Sequence, residues 1–129
     1  VSPNPSLPRL HADDLRRLPD PAATPADCAC AHLKCAGWES IGAPPGEPLL
    51  RHLGTLRDGA VDEPTVEEWH ENGSRYESPR APIAADWFPY NRCEVWACRA
   101  CGRGFVQYTE FGGYYVDHRL REVDPALVR

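Results

Sequence analysis

The sequence predicts a β-rich α+β domain built on an antiparallel meander with short helices. Three observations carry that expectation. Apolar and polar residues alternate through CEVWAC, RGFVQYTEF and YYVDHRLREV, which is the period of a half-buried strand. The breaks between these runs, CRACG and Gly112-Gly113, are short turn sequences of the kind that join antiparallel neighbours. A chain of 129 residues, 42 % hydrophobic and 26 % charged, is enough for a single modest core.

The elements follow in chain order. Nine of the fourteen prolines precede residue 49, whereas eleven of the twelve aromatic residues lie from Trp69 onward, so the C-terminal half forms the core. Residues 1–27 read as a Pro-rich arm with one short helix in LHADDLRRL. His11 or Asp13 can cap it, Leu10, Leu15 and Leu18 share a face, and Pro19 and Pro21 end it. Residues 28–129 read as one β-rich domain. Within it, AGWESIGAPPGEP suggests a helical turn and a loop, and LLRHLGTL (49–56) a strand. Asn72-Gly73 signals a two-residue hairpin turn. Phe105, Tyr108, Tyr114, Val116 and Leu120 are the expected core contribution of the meander. The final DPALVR begins a short terminal helix.

Composition excludes some partners. A net charge of −5 disfavours non-specific nucleic-acid binding, which needs a basic face to neutralise phosphates. Arg92, Arg99, Arg103, Arg119 and Arg121 cluster near the C-terminus but have acids among them. No apolar run approaches the roughly 18 residues of a membrane span. VSPNPSLPRL has no apolar stretch of the signal-peptide kind, so a cytoplasmic location is expected. Thirteen arginines against one lysine, Lys34, fit a GC-rich bacterial genome. Residues 58–71 hold six acids and no Lys or Arg, a solvated face or, more sharply, an acidic docking strip.

Six cysteines in a short chain are either a disulfide framework or a metal site. CACAHLKC, residues 28–35, favours metal: Cys28 and Cys30 are too close in sequence to bridge easily, and His32 is interleaved with the thiols. Cys98-Arg99-Ala100-Cys101-Gly102 falls between two expected strands. Its spacing lets both thiolates face one ion, and Gly102 tolerates the left-handed backbone that closes the turn. A structural zinc needs four ligands, so the other two are expected from the distant cluster. The set expected is Cys30, Cys35, Cys98 and Cys101, with His32 as the alternative to Cys30 and Cys28 as a spare. Cys93 stands an odd number of residues from Cys98 and is expected on the opposite face.

Residues 90–121, YNRCEVWACRACGRGFVQYTEFGGYYVDHRLR, resemble the zinc-ribbon class in their strand–knuckle–strand layout. With CAHLKCAGWE and APIAADWFPYNRC, residues 28–124 are also similar to small bacterial proteins of like length, a resemblance that supplies no function. The resulting expectation is a non-enzymatic domain with structural zinc that binds another protein, through the acidic strip or through Tyr115, Trp87 or Trp69. Three alternatives stand beside it: an HNH-like nuclease using Asp117 and His118, a nucleic-acid-binding ribbon, and a redox switch at Cys98 and Cys101.

Overall fold

The computed structural model describes residues 7–33, 35–43, 48–70, 73, 75 and 78–129. Five strands form one antiparallel sheet: β1 (Glu39–Ile41), β2 (Leu50–Thr55), β3 (Glu94–Cys98), β4 (Gly104–Phe111) and β5 (Val116–Glu122). Their order across the sheet is β1-β5-β4-β3-β2. The meander of β3, β4 and β5 therefore makes the centre, as the alternation predicts, and β2 is the strand expected at LLRHLGTL. β1 is a correction. The helical turn expected at the start of AGWESIGAPPGEP is replaced by a strand: Glu39–Ile41 pairs with β5, Glu39 opposite Leu120 and Ile41 opposite His118. Three residues are too few to show a period, and the edge of β5 supplies the partner that makes them a strand.

The pleat sorts side chains to two faces. Cys93, Val95, Val106 and Tyr108 point to one, where Leu15, Trp38, Leu56, Ile83, Tyr90, Val123 and Val128 complete an apolar core. Trp96, Cys98, Phe105 and Leu120 point to the other, which packs Cys30, Cys35 and Leu50. Cys93 and Cys98 thus lie on opposite faces, as their odd separation requires.

The first face is closed by chain from both ends. Helix α1 (Ala12–Arg16) begins where expected, with the Asp14 carboxylate accepting the His11 backbone N–H at 2.8 Å. It buries Leu15 completely. The described part of the N-terminal arm lies against the sheet: Leu10 N–H donates to the Thr55 carbonyl at 2.7 Å. At the other terminus, the turn Pro125–Leu127 holds Val128 against the core, and Ile83 and Val128 bridge. Arg121 is wholly buried on this face. Its guanidinium donates to the Tyr90 hydroxyl and to the carbonyls of Ala36, Pro79 and Ala81, which fastens the 79–90 segment to β5. Those acceptors offset part of the cost of removing the charge from water.

Two other expectations meet the structure differently. The turn expected at Asn72-Gly73 falls largely outside the described residues, and among those described between Thr55 and Glu94 no strand is formed. Phe105, Tyr108 and Leu120 are buried, but Tyr114 is fully exposed and Val116 is 56 % exposed. The reason is strand length. β1 stops opposite His118 and β3 stops opposite Gln107, so the end of the β4–β5 hairpin extends past both neighbouring strands.

Candidate metal centre

Two turns, seventy residues apart in sequence, bring four thiols together. The first follows β3. Cys98 N–H donates to the Arg103 carbonyl at 2.8 Å, and Gly102 N–H returns to the Cys98 carbonyl at 2.9 Å. Gly102 has φ +84°, where a Cβ would be strained, so glycine at this position lets the chain turn directly into β4. The second turn is the 3-10 segment Ala29–His32, which opens with Cys28 in an extended conformation. Ala31 N–H bonds the Cys28 carbonyl and Leu33 N–H the Cys30 carbonyl, at 2.8 and 2.9 Å. This tight winding places Cys28 and Cys30 on the same side of the segment.

The sulfurs of Cys28, Cys30, Cys98 and Cys101 all lie within 4.8 Å of one another. Cys28 faces Cys98 at 3.6 Å, and Cys30 faces Cys101 at 3.5 Å. A tetrahedral zinc with metal–sulfur bonds of about 2.3 Å has sulfur–sulfur edges of roughly 3.8 Å. The four thiols therefore already approximate the corners of a tetrahedral thiolate site. Among the described residues this is the one group of three or more His, Cys, Asp or Glu side chains with such geometry.

Three of the four residues expected from sequence, Cys30, Cys98 and Cys101, are in this group, and Cys28 stands where Cys35 was expected. Cys35 lies past the 3-10 turn, where the chain leaves for β1. Its carbonyl accepts the Glu122 N–H at 2.9 Å and its Sγ donates to the Leu33 carbonyl at 3.2 Å. Burial, then the nearby Glu122 carboxylate, push the Cys35 pKa up to about 12, so it remains a thiol. His32, the alternative ligand, has Nδ1 bonded to the Ala29 carbonyl at 2.6 Å and is outside the group. Cys93 is also apart, fully buried, with its Sγ donating to the Pro89 carbonyl at 3.3 Å.

The spacing of Cys28 and Cys30 is compatible with this grouping but does not select it. Two residues flanking a single alanine reach one ion if the chain winds tightly between them, and no Pro or β-branched residue in CACAH opposes that winding.

Cys98 differs from Cys30 and Cys101 in its readiness to ionise. Burial works against ionisation of Cys98, but the N–H groups of Cys101 and Ala100 and the thiols of Cys28 and Cys30 outweigh it, and its pKa falls to about 7. Burial raises both Cys30 and Cys101. A divalent cation bound among these sulfurs would displace whatever thiol protons remain. Arg51 and Arg99 line the same concavity as Cys98 and Gly102, so positive charge lies beside one end of the thiol cluster and would favour a negatively charged metal–thiolate centre. A metal ion held by all four thiolates would have a complete tetrahedron, with no position left for water or substrate.

Residues of the alternative readings are dispersed. Asp117 and His118 are successive residues of β5 and point to opposite faces. Asp117 accepts from Ser40 at 3.1 Å and pairs with Arg119 at 3.8 Å, while His118 Nδ1 meets the Thr109 hydroxyl at 3.0 Å. The arginines do not form one basic face. Arg121 is buried, Arg103 donates to Thr24, Arg119 lies beside Glu110 and Asp117, and Arg92 covers the Phe88 ring. No helix among the described residues is long and apolar enough to cross a membrane.

Compared with protein-family models, with curated proteins and with solved structures, the chain matches none.

Proposed function

We propose that Cys28, Cys30, Cys98 and Cys101 hold one zinc ion, and that this ion stabilises a bacterial, cytoplasmic domain whose work is to bind another protein. The observation that carries the reading is the convergence of four thiols from two distant turns at edges close to those of a zinc tetrathiolate. Zinc is favoured over harder ions because thiolates are soft ligands, and over an iron–sulfur cluster because the cysteine spacings are not those of ferredoxins. A closed site braces the fold and does no chemistry on a substrate. The cytosol keeps such thiols reduced and available for metal.

The dispersal of Asp117 and His118 argues against a nuclease, and that of the arginines against a nucleic-acid face. A binding role is supported by the exposed apolar side chains that remain: Val61, Val66 and Trp69 in the acidic segment, and Phe111, Tyr114, Tyr115 and Val116 at the hairpin end. Trp69 stacks edge-on against Trp87, with centroids 5.6 Å apart, so part of its surface is already used.

The test is elemental analysis of the chain purified under reducing conditions without chelator. One zinc per chain is expected; a chain that folds and melts cooperatively with no bound metal would sink the reading.

A further inference from the structure

The four clustered thiols are also placed for a second covalent state. Two close contacts run between the turns: Cys28 Sγ lies 3.6 Å from Cys98 Sγ, and Cys30 Sγ lies 3.5 Å from Cys101 Sγ. A disulfide bond is about 2.05 Å long, so each pair has roughly 1.5 Å to close, within reach of small side-chain rotations. In each pair one sulfur belongs to a half-buried residue, Cys28 or Cys101, and the other to a buried one, Cys98 or Cys30. An oxidant from solvent therefore meets one sulfur while its partner stands at contact distance. The two remaining cysteines are set apart. Cys35 Sγ donates to the Leu33 carbonyl, and Cys93, fully buried on the opposite face, donates to the Pro89 carbonyl.

We infer that the centre is a redox-interchangeable clasp. A peroxide converts it to two disulfides, one joining Cys28 to Cys98 and one joining Cys30 to Cys101, which release the ion and keep the two turns tied. The inference deepens the metal reading above and rests on it for the reduced state. It also differs from a switch between Cys98 and Cys101, the pair that the sequence suggests.

The chemistry is the same in each pair. The more exposed sulfur attacks one oxygen of hydrogen peroxide, the O–O bond breaks, and a sulfenic acid forms as water leaves. The partner thiolate then attacks that sulfur and displaces its oxygen as a second water. Each pair gives two electrons to one peroxide. The two protons that the waters need come from the thiols, or from solvent where a sulfur is already a thiolate. A sulfur committed to a disulfide has lost the charge that holds a divalent ion, so the ion leaves.

The pairing decides what becomes of the fold. Bridges within the turns would leave the turns untied once the ion has gone. The crossed bridges span 70 and 71 residues, and closing such long loops constrains the unfolded chain strongly. The crossed state therefore holds the 28–32 segment on the knuckle, as a bound ion would. Ring size favours the same outcome. Cys98 and Cys101 have room for a bridge, but forming it leaves Cys28 and Cys30 only each other, and one intervening residue makes that ring small and strained.

The test treats the full, zinc-loaded chain with excess hydrogen peroxide. Peroxide should release the ion and lower the thiols that can be alkylated in the denatured chain from six to two, Cys35 and Cys93. Trypsin cuts after Arg17, Lys34, Arg92, Arg99 and Arg103, so it separates Cys98 from Cys101. The expected digest holds one assembly of three peptides, residues 18–34, 93–99 and 100–103, and fragmentation between Cys28 and Cys30 should assign each bridge. Cys35→Ala should give the same map. The oxidised, metal-free chain should melt cooperatively, whereas the reduced chain stripped by a chelator should not. A digest in which 93–99 is joined only to 100–103 would overturn the inference, as would exchanged partners or loss of thiols without disulfides. An oxidised chain that melts like the stripped one would overturn it too. Zinc content before treatment reports separately on the metal reading: a chain that starts without zinc removes that reading and the ion's release, while the peptide map still decides the pairing.

Discussion

The two faces of the sheet are stabilised by different means. One is a hydrocarbon core, closed by helix α1, the 79–93 segment and the C-terminal turn, with Leu15, Ile83, Val95, Val106 and Val123 wholly buried. The other packs fewer residues, Leu50, Trp96, Phe105 and Leu120 around Cys30, Cys35 and Cys98, and beside them lie the four clustered sulfurs. In the first face, stability is spread over many contacts of comparable size, so each loss is partial. In the second, under the metal reading proposed above, a large share would depend on one ion, and losing any of four side chains would lose all of it. Small domains use this device because their surface-to-volume ratio leaves the hydrophobic core short.

The largest expected effect breaks the second face. Cys28→Ser removes a corner of the tetrahedron from an ion whose binding is worth roughly 10 kcal/mol or more to folding. A domain of this size has only about 5–15 kcal/mol of net stability, so the variant should be largely unfolded by circular dichroism at 25 °C. A Cys28→Ser chain that retains zinc and a cooperative melt would show that Cys28 is no ligand. Leu15→Ala, on the first face, should cost about 3 kcal/mol. It should lower the melting temperature while the folded chain still carries one zinc. If it releases the ion instead, the two faces are one cooperative unit and the contrast between them is false.

The smallest effect comes from the cysteine that the sequence made most prominent. Cys35→Ala loses a buried sulfur and its bond to the Leu33 carbonyl, a cost of about 1–2 kcal/mol, and should leave the zinc content at one per chain. Loss of zinc in this variant would return Cys35 to the ligand set and displace Cys28.

That last contrast shows where the sequence was legible. The β3–β4–β5 meander could be read because each strand is long enough to show its alternation, and the knuckle because Cys-x-x-Cys-Gly between strands has one geometric solution. The partner segment was legible only as a region. Which of Cys28, Cys30, His32 and Cys35 face the ion depends on whether CACAH winds tightly or extends, and local propensity is neutral between the two. The Glu122 bond to the Cys35 carbonyl, which ties Cys35 to the end of β5, is a pairing between residues far apart in the chain. β1 itself was hidden for the same reason, since its strand character comes from the edge of β5. Tyr114 and Val116 obey the strand period and are exposed nonetheless, because alternation says which face a residue takes and not whether a neighbour covers it.

X-ray absorption at the zinc edge on the purified chain tests the central claim most directly. The account predicts a first shell of four sulfurs at about 2.3 Å with no nitrogen or oxygen, unchanged in Cys35→Ala and in His32→Ala. A shell containing nitrogen or oxygen, or one that loses a sulfur in Cys35→Ala, would contradict it.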